Sequence, residues 1–159
     1  MAEKTNASRI LERSGVKFDL VEYKVDEEHL DAVHVAEELD EDINTVYKTL
    51  VLHGDKNGHF VCVIQGDKEV DLKKAAKISG NKKVAMIPMK ELLPLTGYIR
   101  GGCTAIGMKK NFPVFLDQRA LNNSFIYISA GRRGLQIKLS PSDYANVTKA
   151  VVGDIINEE

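Results

Sequence analysis

Val46-Tyr47-Lys48-Thr49-Leu50-Val51-Leu52-His53, then Gly54-Asp55-Lys56-Asn57-Gly58, then His59-Phe60-Val61-Cys62-Val63-Ile64-Gln65 is the stretch whose reading decides the fold. Two runs of strand-forming residues flank five residues of turn chemistry, the pattern of an antiparallel hairpin. Alternation sets Val46, Lys48, Leu50 and Leu52 on one face of the first strand. Lys48 therefore stands in a row that should face a core. A buried ammonium without a partner is costly, so two readings are open. Either the stem lies on apolar surface with its head in water, or the lysine lines a pocket.

Outward from the hairpin, helix and strand signals alternate. Thr5 or Asn6 can cap a first helix that stops at Ser14-Gly15, and Phe18 to Tyr23 reads as a strand. Residues 31–39 read as a short helix with Ala32, Val35, Ala36 and Leu39 on one side. Asp71 caps a helix that Gly80 ends. Val84 to Ile87 reads as a strand and Pro88 to Leu95 as a helical turn. Val114 to Leu116, Ser124 to Ser129 and Gly134 to Leu139 read as strands, the last two joined at Gly131-Arg132-Arg133-Gly134. Ser140-Pro141-Ser142-Asp143 opens a final helix, with Pro at its first position and an acid in its first turn. Short strands among helices give a mixed α+β fold around one sheet. No linker or repeat divides residues 1–159, which read as a single domain.

Composition narrows the function. The apolar runs are too short to span a bilayer, and the N-terminus lacks a signal-peptide pattern, so a cytoplasmic protein without membrane attachment is expected. A formal net charge of −1 excludes holding nucleic acid by bulk electrostatics, and DNA is not an expected partner. An RNA substrate would need a local patch, for which Lys68, Lys73, Lys74, Lys77, Lys82 and Lys83 are candidates diluted by Asp67, Glu69 and Asp71. Cys62 and Cys103 have no metal-ligand spacing and read as half-buried or buried thiols. His29, His34, His53 and His59 fall in no metal motif, and His53 and His59 read as a cross-strand surface pair. No nucleophile elbow appears, and no metal or cofactor is assigned.

Two glycine-bearing segments remain. Residues 97–110 place four glycines within eleven residues, Gly97 to Gly107. Such a segment is either a bulged strand with a loop, or a backbone cradle for a carbonyl, ribose or phosphate. Ser129-Ala130-Gly131-Arg132-Arg133-Gly134 is a turn whose arginines are either solvated or phosphate contacts.

Four blocks in this order resemble the YbaK family: Val46 to Leu50, Asp71 to Ala76, Gly97 to Lys110, and Gly131 to Ile137. The resemblance runs from about residue 5 to 152. It is similar to the editing domain inserted in some prolyl-tRNA synthetases. It implies an α+β fold with a barrel-like mixed sheet flanked by helices, and a pocket for the 3′ aminoacyl-adenosine end of an aminoacyl-tRNA. It implies a deacylase that hydrolyses Cys-tRNA(Pro), with the substrate's own thiol attacking its ester. Deacylation of alanine or another small residue, or a non-catalytic binding module, are the alternatives. In that picture Lys48 is the catalytic lysine, and Gly101 and Gly102 line the site with backbone. Tyr23 stands at the mouth; Thr104, Ser129, Gly131 and Gln136 line the walls. Prolyl-tRNA synthetase is an implied partner. Two departures mark this chain: many members carry Ser-Pro at Thr104-Ala105, and some carry Asp at Gln136.

Overall fold

The computed structural model describes residues 4–158. Helix α1 (Asn6–Arg13) opens on a reciprocal cap: Ser8 N–H donates to Thr5 Oγ1 (3.2 Å) and Thr5 N–H to Ser8 Oγ (2.8 Å). Gly15, at φ +75°, then turns the chain into β1 (Phe18–Glu22). Asp31 caps α2 (Ala32–Leu39) by accepting from His34 N–H at 2.8 Å. The hairpin forms as read, from β2 (Tyr47–Gly54) and β3 (Gly58–Gln65), in register from Tyr47↔Gln65 to Gly54↔Gly58. Asp71 accepts from Lys73 and Lys74 N–H to start α3 (Leu72–Ser79), and Gly80 in left-handed conformation ends it. There follow β4 (Val84–Met86), a 3-10 turn at Met89–Glu91, α4 (Leu92–Thr96), β5 (Val114–Asp117), β6 (Ile126–Ser129) and β7 (Leu135–Leu139). Helix α5 (Pro141–Thr148) is capped by Ser140 with Pro141 at its start, and β8 (Val151–Gly153) closes the order.

The strands make two sheets. One is antiparallel, ordered β1-β7-β6; the other is mixed, ordered β4-β2-β3-β5-β8, with the β3–β5 and β5–β8 pairs parallel. A single parallel bridge, Val46↔Tyr127, links them. The α+β fold with a mixed sheet flanked by helices is as expected, whereas among the described residues the strands are not closed into one barrel. β8 escaped the sequence reading because three residues carry no readable period. Residues 97–110 hold neither helix nor strand, so the loop reading holds there and the bulged strand does not.

Alternation divides the core. Tyr47, Val51, Val61 and Val63 enter a large cluster with Ile126, Ile128, Leu135 and Ile137 from the other sheet. Leu52, Phe60, Cys62 and Ile64 face the opposite way, toward Ala75 of α3 and the C-terminal Ile155 and Ile156. Burying several such side chains, at roughly 1.5–3 kcal/mol each, fixes the register of the hairpin. A slip by one residue would exchange the two clusters' contents.

Candidate active site

The site lies where the two sheets part. Val46 is bridged to Tyr127 of β6, but β2 and β6 diverge immediately afterwards. β4 meets the same edge of β2 only further along, at Leu52↔Met86, with Ile87 N–H donating to Val51 O at 3.2 Å. Between these contacts the edge of β2 is unpaired. Val46 O accepts from Gly66 N–H on the β3 side (2.8 Å), while Val51 O faces β4. Neighbouring residues of an antiparallel strand turn their backbone groups to opposite sides, so Thr49, in step with Val51, presents N–H and C=O to the gap.

That gap is a cleft of about 500 Å³, a size suited to a small ligand. Lys48 lines it, half-buried, and among the described residues its ammonium makes no ion pair. Burial lowers its pKa, and the field of Glu69, Asp67 and Asp31 opposes that fall. The pocket reading of this lysine is therefore the one its placement fits. Gly101 lines the same cleft at φ +85°. Ser129 and Gln136, directly opposed on β6 and β7, form another wall. Gln136 is only 4% exposed, and its Oε1 has no hydrogen-bond partner. A buried acceptor left without a donor costs about 1–3 kcal/mol, which a donating ligand would offset.

Four other expected residues stand behind the cleft rather than in its lining. Tyr23 donates its N–H to Gly134 O (3.0 Å) and packs with the apolar side of α2. Gly102 donates its N–H to Ile99 O (2.9 Å), so that group is already engaged and is not open to a ligand. Its absent side chain matters instead: a Cβ there would lie 3.0 Å from Arg132 Cα and 3.1 Å from Arg132 C. Gly131, at φ +102°, packs on the Tyr98 ring and donates its N–H to Ser129 Oγ at 3.2 Å. Arg133 Nε donates to Arg100 O at 2.8 Å, locking the turn onto the glycine-rich loop. Thr104 is fully buried with an unpartnered Oγ1.

The cleft also gathers residues that the sequence did not single out for function. Asp31 and Arg100 bring charge, Cys103 a thiol, and Met86, Ile87, Met89 and Leu92 an apolar side. No spacing in the sequence joins these, since they come from elements far apart in the chain. Burial pushes both Cys62 and Cys103 up to about 12, so neither is a thiolate at neutral pH. His53 and His59 do pair across the hairpin, with ring centroids 4.7 Å apart, outside the cleft lining. Of the basic stretch, Lys74 is tied to Asp154 (2.8 Å) and Ile156 O (3.0 Å), where it secures the C-terminal segment.

A cation, free backbone edge groups and a buried amide around a small apolar cleft can hold an acyl group and a negative oxygen. Comparison with known proteins gives this arrangement a family. The profile of the aminoacyl-tRNA editing domain matches residues 26–147, and the chain belongs to that family of deacylases acting on mischarged tRNA. A relative from Enterococcus faecalis, EbsC, described as a candidate Cys-tRNA(Pro)/Cys-tRNA(Cys) deacylase, is 47% identical over 157 residues, covering 99% of this chain and 96% of its own. Two crystal structures share the fold. A hypothetical protein, APE2540, superposes with a TM-score of 0.88 at 23% identity, covering 96% of this chain and 100% of its own. A candidate trans-editing enzyme for prolyl-tRNA synthetase superposes with a TM-score of 0.84 at 24% identity, covering 98% and 99%.

Proposed function

We propose that the chain removes cysteine from mischarged Cys-tRNA(Pro) in trans, by cleavage in which the substrate's own thiol takes part. The observation that carries this reading is Lys48: a half-buried ammonium without an ion pair, beside the unpaired edge of β2 in a small cleft. The 47% identity to EbsC supports cysteine as the amino acid. In the reaction the cysteine sulfur attacks the ester carbonyl carbon. The C–O bond to the terminal ribose then breaks, and the thiol proton passes to the departing ribose oxygen. Free tRNA and a cyclic cysteine thiolactone result, and water later opens the thiolactone.

Such a mechanism asks the protein for position and charge rather than a nucleophile. Lys48 stabilises the developing oxyanion, with backbone N–H groups at Thr49 and Gly101 beside it. Ser129 and Gln136 offer oxygens to the substrate's α-ammonium. Gly102, Thr104, Gly131 and Tyr23 hold the walls in place. Prolyl-tRNA synthetase is the proposed source of the tRNA.

Ester loss from cysteinyl-tRNA(Pro) and alanyl-tRNA(Pro), followed beside Lys48→Ala, tests this reading. Selective loss of the cysteinyl ester is expected, with the variant slower by at least about tenfold. Loss of the alanyl ester instead would move the protein to a sister activity. No loss of either, even with prolyl-tRNA synthetase present, would leave a binding module.

A further inference from the structure

The two walls of the cleft carry opposite charge. Residues 25–47, which supply Asp31, Ala32 and Val35 to one wall, hold nine acids and no lysine or arginine. Residues 82–110, which supply Met86, Met89 and Arg100 to the facing wall, hold six lysines and arginines against the single acid Glu91. In a chain of net charge −1, that one segment is +5 and leaves −6 for everything else. The neutral total conceals a local field across the mouth of the site.

The basic segment is also the apolar one. Met86 (46% exposed), Met89 (59%), Leu93 (53%) and Ile99 (45%) stand open to solvent along it. Of these, the two methionines also line the cleft. An exposed apolar row beside unpaired cations is unusual on a surface with no partner. It suits a polymer with a flat apolar face and an anionic backbone. A single-stranded RNA end has both: stacked bases and phosphates.

Resting on the proposed deacylase reading, we infer that segment 82–110 is the platform on which the unpaired 3′ end of tRNA lies. Met86 and Met89 receive the terminal adenine as the ester enters the cleft. Lys82, Lys83, Lys109 and Lys110 take phosphates of the acceptor arm, while the acidic wall of α2 repels the backbone and fixes its direction of approach. The lysines of α3 are not the principal RNA surface, since Lys74 is engaged with Asp154 and the C-terminal segment.

Fluorescence anisotropy of a labelled tRNA(Pro) acceptor minihelix ending in CCA tests the platform without requiring turnover. Lys82→Ala/Lys83→Ala and Lys109→Ala/Lys110→Ala are each expected to weaken binding about tenfold at low salt. Each pair should also flatten the slope of log affinity on log salt by about 1. Lys73→Ala/Lys77→Ala on α3 should bind as the native protein does. Deleting the terminal A should weaken the native protein and leave Met86→Ser/Met89→Ser no weaker than before. Native protein that ignores the minihelix, equal losses in all three lysine pairs, or indifference to the terminal A would each overturn the inference. Cleavage of the tRNA ester with wall variants that bind normally would sink the platform and spare the deacylase. Loss of binding in those variants with no ester cleaved would do the reverse.

Discussion

Gly102→Ala is the substitution that most directly probes how the site is held together. The added Cβ would sit 3.0 Å from Arg132 Cα, 3.1 Å from Arg132 C and 3.2 Å from Arg133 N. All three are backbone atoms of the turn between β6 and β7, which cannot swing aside as a side-chain end could. Relief to ordinary contact requires the turn to move by a few tenths of an ångström. Overpacking of this kind costs about 1–3 kcal/mol. The lost backbone freedom of the unfolded chain offsets about 0.4–1 kcal/mol of that. A net destabilisation of about 1–2 kcal/mol corresponds to roughly 2–8 °C in Tm for a chain of this size. The same shift displaces Gly131, whose N–H is bonded to Ser129 Oγ, and with it one wall of the cleft. Displacement of about 1 Å costs on the order of a hundredfold in rate, so a few tenths should cost several-fold. Scanning calorimetry and single-turnover deacylation read the two effects together. A Tm within about 1 °C of native with unchanged turnover would refute the packing argument.

Two further expectations follow from the charges. For Lys48 the folded pKa lies below 10.5 because burial disfavours the ammonium, with Glu69, Asp67 and Asp31 only partly compensating. The native state therefore holds this proton less tightly than the unfolded chain does, so this group's contribution to stability rises with pH between its lowered pKa and 10.5. Lys48→Met should raise Tm at neutral pH, abolish that increment and lose activity; a lower Tm would show that the ammonium stabilises the fold. Arg119 bridges Asp117 (2.9 Å), Asp154 (2.8 Å) and Glu158, and Asp117 has a fully buried side chain. Arg119→Ala should destabilise by about 2 kcal/mol, below the 3–5 of a fully buried pair because the arginine is partly exposed. Asp117 also keeps its bonds from Arg119 and Ile155 N–H. Urea denaturation measures the loss, and a change within about 0.5 kcal/mol would contradict it.

The elements were legible wherever a local rule governs them. Thr5, Asp71 and Ser140 cap their helices as their residue types require, and Gly15 and Gly80 turn the chain at φ +75°. The hairpin register followed from two alternating runs and one turn. β8 has three residues and pairs only because β5 lies beside it, so nothing local announces it. The same division runs through the site. Lys48 was conspicuous because a charge interrupts an apolar alternation. Asp31, Met86 and Met89 were not, because each has an ordinary local reading as a cap, a strand end or a helical turn.

The amino-acid sequence alone determined the hairpin, the caps, the odd lysine among apolar neighbours and the four blocks that resemble a family. These depend on periodicity, dihedral preference and residue type, all of which act over a few positions. Tertiary structure decided where the two sheets part, and so that β2 has an open edge facing a cleft. It decided that Gly101 faces the cleft while Gly102 packs on the Arg132 backbone. It also decided that an acidic and a basic segment some fifty residues apart become facing walls. The physical reason is that cleft and field are properties of distances between elements, and those are set by packing, which no local pattern encodes.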